Sequence, residues 1–271
     1  MKALAIPRKR LVSIVGGSMG NLVEWYDWFA YAAFAIYFAP VFFPQADPTA
    51  QLLNSAAIFA VGLVKGPVGA WVMGRFADTR GRKAGLSLSV ALMFSGSMLI
   101  AIAPTYAVAG LLGPATLLVA RMLQGLSLGG EYGASATYLS EMAPKENRGF
   151  WASFQYMTLC GGQLCAIFVA GVVQFFLSEA ELTAWGWRNP FVIGALLALG
   201  VYVLRRNLAE TPSFENQAVD RPVSTAKLLW KEHRRESILV GMLSAGGGLA
   251  AYTYTSYMQK FLFNTVGFDK A

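Results

Sequence analysis

The sequence predicts an all-α, polytopic membrane protein, and three observations predict it. Its 271 residues are 55% hydrophobic and only 14% charged, too few charges to cover a soluble globule of that length. Runs of about 20 mostly apolar residues, enough for a helix to cross a hydrocarbon core of ~30 Å, recur along the chain. The basic residues gather in alternate connections between those runs. A formal net charge of +7 would suit nucleic acid if it clustered on one soluble face, but here its distribution follows membrane topology, and nucleic acid is excluded as a partner.

Hydropathy places the spans at roughly 14–43, 52–74, 86–103, 107–131, 150–177, 187–204 and 238–262. Lys2, Arg8, Lys9 and Arg10 precede the first span, and Arg75, Arg80, Arg82 and Lys83 follow the second. Lys145 and Arg148 follow the fourth, and further basic residues fill the polar stretch 205–236. The opposite connections, 44–51, 104–106 and 178–186, hold no Lys or Arg. The positive-inside rule therefore assigns the amino terminus to the cytoplasm. Trp185 and Trp187 suit the outer headgroup level. MKALAIPRKR is basic, but no short apolar core with a small-residue cleavage site follows it, so the first span reads as retained. The organisation expected is a six-span bundle over 1–204 and a cytoplasmic central loop over 205–236. A seventh span and the start of an outside loop then occupy 237–271. Pro212 and Pro222 break the central loop, and the single histidine, His233, lies solvated within it. An odd number of spans, with Ala271 soon after the last, reads as a fragment of a longer protein.

Charges inside spans carry the information. Each costs about 2.5 kcal/mol or more near the bilayer centre, so it normally faces a cavity or a partner. Glu24, Asp27, Lys65 and Arg121 all fall near the middle of their spans. Glu24, Asp27 and Tyr31 are spaced three and four residues apart, on one helix face that Asn21 extends by a turn. The expectation is that the acids face an aqueous cavity and that one of them titrates. The plainer alternative is a structural network in which two acids and two bases neutralise one another. Glu131, closer to the cytoplasmic end of its span, reads as a partner of the basic loop. Cys160 and Cys165 read as buried free thiols. No Ser or Cys has a base beside it and no cluster has metal-ligand spacing, so neither an enzyme, a catalytic residue, a metal nor a cofactor is expected.

The loop GRFADTRGRK, residues 74–83, has the spacing of Gly74, Asp78, Gly81, Arg82 and Lys83. Gly74 permits close helix approach, Asp78 can cap the next helix, and Arg82 and Lys83 complete a charge network. This loop resembles the signature between the second and third helices of the major facilitator superfamily. RMLQG, residues 121–125, is similar to that superfamily's fourth-helix motif. GNLVEWYDWFAYAAFAIYFAPVFFP, LQGLSLGGEYGASATYLSEMAP and ETPSF narrow the resemblance to its metabolite–proton symporter family. GFWASFQYMTLCGGQL, WGWRNPF and YTYTSYMQKFL are most similar to members that carry 2-oxoglutarate. One departure stands out: the family reads Arg-Pro in the second span, whereas this chain reads LVKGPVG, with Lys65 one place earlier and Gly66 before Pro67. That shift rotates the cation by about 100° around the helix.

The resemblance implies an amino-terminal six-helix bundle plus one helix of a second bundle. It implies proton-coupled symport of a small carboxylate across the inner membrane, driven by the proton gradient without a cofactor, by a monomer embedded in lipid. Asp27 and Glu24 become the proton carriers, and Arg121 the buried cation that stabilises the ionised acid. Arg121, Lys65, Tyr31 and Gln124 become the substrate site, with Gln155 and Gln163 in reserve. Gly74, Asp78, Gly81, Arg82 and Lys83 form the gating loop. Related symporters carry proline or betaine, shikimate or citrate, and a non-transporting seven-helix scaffold is the competing class.

Overall fold

The computed structural model describes residues 8–44, 47–206, 208, 210, 211, 214 and 226–254. Lys2, Pro212, Pro222 and the end of the expected seventh span lie outside the described residues. No strand occurs among those described.

The chain forms two units, Met1–Arg221 and Pro222–Ala271. In the first, α1 (Arg8–Phe42), α2 (Pro48–Arg80), α3 (Arg82–Ile102) and a short α4 (Tyr106–Ala109) lead to α5 (Leu112–Met142). After a single 3-10 turn come α6 (Arg148–Ala152), α7 (Phe154–Phe176), α8 (Glu179–Ala184) and α9 (Asn189–Arg206). The second unit contains α10 (Ala226–Glu232) and α11 (Arg234–Tyr252), joined at His233, which is exposed as expected. Among the described residues, four stretches are long and apolar enough to cross a membrane: Pro48–Arg80, Arg82–Ile102, Lys145–Phe176 and Gly186–Arg206.

Several helices overrun the expected spans. Hydropathy sees only the apolar window, whereas backbone hydrogen bonding continues through polar turns at either end. Thus α2 runs on to Arg80 and α5 to Met142. The expected fourth span is also divided near its start, where Gly110 adopts φ +56° between α4 and α5.

Local chemistry explains the other boundaries. Asp47 caps α2 by accepting from the Thr49 and Ala50 amides at 3.0 and 3.1 Å, and Pro48 occupies the first helical position. Ser178 and Glu181 form a capping box at α8, and hydrogen bonds from Ser178 hold the exposed Glu181 carboxyl below its usual range. Gly81, at φ +111°, separates α2 from α3.

The helices of the first unit pack unequally. α5 is buried along a broad stripe from Leu117 to Met142, which makes it the central pillar. α2 buries only Ser55, Gly62, Gly69, Met73 and Ala77. It meets α5 through glycines: a Cβ on Gly125 would collide with the Gly62 carbonyl, and one on Gly129 with the Gly66 carbonyl. At one end of the bundle Phe38, Phe42, Trp187 and Phe191 close an aromatic core, with Trp187 centred 5.4 Å from Phe42 and 5.9 Å from Phe38. The opposite end carries the Arg82–Lys83 loop.

Candidate substrate and proton site

The acids of α1 meet α5 in an ordered ladder. α1 presents Gly17, Gly20, Glu24, Asp27 and Tyr31 on one face, and α5 presents Tyr138, Glu131, Ser127, Gln124 and Arg121. The contacts run in opposite chain order. A Cβ on Gly17 would sit 2.7 Å from the Tyr138 ring, Asp27 bonds Gln124, and Tyr31 meets Arg121. The two helices are therefore antiparallel, and the spacing that places the acids on one stripe also fixes what each faces.

At the centre of the ladder, Asp27 is fully buried. Its Oδ1 accepts from Ser97 of α3 at 2.8 Å, and its Oδ2 accepts from Gln124 Nε2 at 2.7 Å. Arg121 Nη1 reaches the same Oδ2 at 3.3 Å, the one ion-pair contact between them. The guanidinium lies 3.7 Å from the centre of the Tyr31 ring and 5.1 Å from that of Trp28, within cation–π range. Arg121 Nε and Nη2 and Gln124 Oε1 have no hydrogen-bond partner, although all are buried. Tyr31 Oη donates to the Ser55 carbonyl at 3.0 Å, tying α1 to α2. A guanidinium held by one long ion-pair contact and by aromatic faces retains donors for an incoming carboxylate, the anion its planar fork fits best.

About two turns away stands a second buried pair. Glu131 and Arg205 bind in a fork–fork arrangement, Nη2 to Oε1 at 2.5 Å and Nη1 to Oε2 at 2.9 Å. The remaining N–H groups of Arg205 reach the carbonyls of Gly16 at 3.2 Å, Gly17 at 3.0 Å and Leu86 at 2.5 Å. The donor capacity of the guanidinium is thereby filled. Ser89 Oγ adds a contact to Glu131 Oε2 at 2.5 Å. This pair binds α9 to α1, α3 and α5 at once.

Sequence reasoning placed Asp27, Arg121, Tyr31 and Gln124 together, and the structure brings those four together. The other residues are placed differently from expectation. The acids line no open cavity here: Asn21, Glu24, Asp27 and Tyr31 are all at most 1% exposed, because α3, α5, α7 and α9 pack over them. Lys65 is half-buried on α2, with no ion pair among the described residues, so it does not join Arg121. Glu131 pairs with Arg205 and not with the basic loop; Arg205, assigned to the polar loop by its charge, occupies the last turn of α9 on the stripe of Phe191, Ala195, Ala198 and Val201. That spacing was the available signal. Gln155 accepts from Ser135 at 2.7 Å and joins Asn21 and Thr158 in the seam between α1 and α7. Gln163 is half-buried. Cys160 and Cys165 are exposed on α7, because hydropathy does not distinguish a lipid-facing thiol from a core one, and Trp187 is buried in the aromatic core.

The loop at 74–83 also differs from expectation. Asp78 pairs with Arg82 instead of capping α3, and Arg82 reaches Glu141 at 3.8 Å. The α3 amino terminus is met by Glu210, whose Oε1 accepts from the Arg82 and Lys83 amides at 3.1 and 3.3 Å. An anion there is favoured by the exposed N–H groups and the helix dipole. A Cβ on Gly81 would strike the Glu210 carboxylate, so this glycine is required twice, by its φ and by this contact. A Cβ added to Gly74 would meet nothing within 4 Å, because this glycine lines an open recess of about 200 Å³ with Ala70, Asp78, Gly129 and Gly133.

The architecture has solved counterparts. A partially occluded inward-open structure of the xylose transporter XylE from E. coli superposes with TM-score 0.73 at 21% identity, over 79% of this chain and 52% of that one. The inward-open XylE structure superposes at 0.66, over 96% and 58%. At these identities the likeness shows the fold, that of a major facilitator bundle. The sequence family described as "Sugar (and other) transporter" matches residues 13–231. The chain belongs to that transporter family within the major facilitator superfamily. It is 50% identical over 260 residues to the alpha-ketoglutarate permease of Escherichia coli (strain K12), covering 96% of this chain and 60% of that protein. It is 34% identical to the citrate-proton symporter of Klebsiella pneumoniae, over 93% and 57%. The chain thus spans about three-fifths of the length of these relatives.

Proposed function

We propose that the chain carries the substrate and proton site of a proton-coupled symporter for a small carboxylate, with 2-oxoglutarate the first substrate. The observation that carries this reading is the buried Asp27–Arg121 pair with guanidinium donors still unfilled. The 50% identity to a named alpha-ketoglutarate permease supports the substrate.

When Asp27 is ionised it compensates Arg121. When it takes a proton, Arg121 keeps its charge and loses its counter-ion, and a substrate carboxylate restores neutrality in a bidentate contact. Loading of proton and substrate is thereby coupled, because each is bound better with the other present. Gln124 and Tyr31 orient the guanidinium, and Lys65, from α2, supplies a further cation to a dicarboxylate. The proton gradient drives the cycle without a cofactor. Rocking of this six-helix unit against a second half alternates access, with Gly74, Asp78, Gly81, Arg82 and Lys83 at the moving face. The protein acts as a monomer in the plasma membrane, its amino terminus in the cytoplasm, with the central loop after α9 and the second half beginning at α11.

The test is uptake of radiolabelled 2-oxoglutarate by cells expressing the gene, with citrate and proline as competitors. Asp27→Asn keeps the size but cannot titrate, so uphill accumulation is lost while equilibration down the substrate gradient persists. Unchanged uphill uptake in that variant removes Asp27 from coupling, and competition by proline but not by dicarboxylates removes the substrate assignment.

A further inference from the structure

Between the two ion pairs lies an acid that neither uses. Glu24 is 1% exposed, and neither of its carboxylate oxygens has a hydrogen-bond partner. Its place is set by the ladder. One turn before it, Gly20 lies directly against the Arg205–Glu131 pair, where an added Cβ would collide with both side chains. Across from it on α5 is Ser127, whose hydroxyl is turned to the Ser89 carbonyl at 2.8 Å. The charged groups facing Glu24 are Glu131 of α5, Arg205 of α9 and Asp27 of its own helix. The nearest stretch of α3 contributes the uncharged Ser89, Val90 and Met93.

This neighbourhood does not balance as two ionised glutamates. Among the described residues Arg205 is the cation that faces Glu24, and its five N–H groups are taken by Glu131 and three backbone carbonyls. Asp27 is compensated by Arg121 and has nothing to offer a second acid. A buried carboxylate without a hydrogen bond, whose nearest cation is committed to another acid and whose nearest hydroxyl, Ser127, is given to the Ser89 carbonyl, is poorly tolerated in a low-dielectric interior. A proton on Glu24 removes that charge and leaves the Glu131–Arg205 fork intact.

We infer that Glu24 and the Glu131–Arg205 pair form a second proton-binding centre, separate from Asp27, in which Glu24 holds a proton while Arg205 belongs to Glu131. If Glu24 loses that proton to bulk water, two carboxylates compete for one guanidinium. The contact then disturbed is the one that fastens α9 to α1, α3 and α5. The centre needs only this geometry and stands whether or not the chain transports 2-oxoglutarate.

Infrared spectroscopy of the chain reconstituted in lipid vesicles at neutral pH reads the state directly, through the C=O stretch of a protonated carboxylic acid. The wild-type chain shows that band, Glu24→Gln loses it and Asp27→Asn keeps it. Glu131→Gln also loses it, because Arg205 becomes available and Glu24 ionises to pair with it. Glu24→Gln leaves the melting temperature unchanged, since no partner is removed. A wild-type chain without the band, or a band that survives Glu24→Gln, overturns the assignment of the proton. A band that survives Glu131→Gln overturns the shared arginine. Should Glu131→Gln not fold, Glu24→Gln against the wild type still decides where the proton sits.

Discussion

Asp27–Arg121 and Glu131–Arg205 are two carboxylate–guanidinium pairs, each at most 1% exposed and each supported by α5, yet they are wired in opposite ways. In the Glu131 pair both oxygens meet both terminal nitrogens, and backbone carbonyls of α1 and α3 take the remaining donors. In the Asp27 pair a single 3.3 Å contact joins the two side chains, while Ser97 and Gln124 share the carboxylate. Arg121 leaves Nε and Nη2 unfilled and rests on the Tyr31 ring. The difference teaches how a bundle can hold two buried ion pairs for different ends. A fully filled pair has one good arrangement and resists change, whereas a part-filled pair has donors to give to a third group and a carboxylate whose charge a proton can remove.

The largest expected effect tests the filled pair. Arg205→Ala strands Glu131 in the interior beside Glu24 and should destabilise the chain by about 3–5 kcal/mol, read as unfolding in detergent against the wild type. The double variant Glu131→Leu with Arg205→Leu should recover most of that loss, because apolar side chains of similar volume remove both charges together. A double variant as damaged as the single one breaks the comparison, since the pair would then matter for more than its charges.

Next comes tolerance to crowding. Gly20→Ala drives a methyl into Arg205 and Glu131, which cannot move without losing hydrogen bonds, and should cost about 1–3 kcal/mol. Gly194→Ala places a Cβ 3.3 Å from Asp27 Oδ1 and 3.2 Å from the Tyr26 ring, a tight fit that a small shift relieves. Its cost should stay below about 1 kcal/mol. Equal costs for the two glycines would show that the Asp27 site is as rigid as its neighbour.

Smaller effects sharpen the Asp27 side. Tyr31→Phe keeps the aromatic face beneath Arg121 but removes the hydrogen bond to the Ser55 carbonyl, a loss of about 0.5–1.5 kcal/mol. Lys65→Met should change stability by no more than about 0.5 kcal/mol, because Lys65 has no ion pair among the described residues. If Lys65 serves the substrate, the same variant weakens dicarboxylate binding more than Lys65→Arg does, measured by titration of intrinsic tryptophan fluorescence.

Much of this was legible in sequence because it depends on local quantities. Apolar length gave the helices, and the three- and four-residue spacing of Glu24, Asp27 and Tyr31 put them on one face. Arg121 and Gln124, three residues apart, share a face for the same reason. Family motifs in the 74–83 loop and around Arg121 pointed to the fold that the comparisons show. Charge alone misled at Arg205, where two adjacent arginines looked like the start of a polar loop although the first continues a buried stripe. Hydropathy misled at Cys160, Cys165 and Trp187, because lipid and protein core are equally apolar and a transfer scale cannot separate them.

The sequence by itself determined which residues lie on which helix face, since a helix repeats every ~3.6 residues whatever surrounds it. It therefore determined that α1 carries an acidic stripe and α5 a stripe of Arg121, Gln124 and Glu131. Only the tertiary structure decided who pairs with whom. The antiparallel ladder set Asp27 opposite Gln124 and Arg121, and α9 delivered Arg205 to Glu131 from 74 residues away. The ladder left Glu24 between them without a hydrogen bond. The reason is physical: periodicity is a property of one helix, whereas the balance of buried charge is a sum over every helix that packs against it.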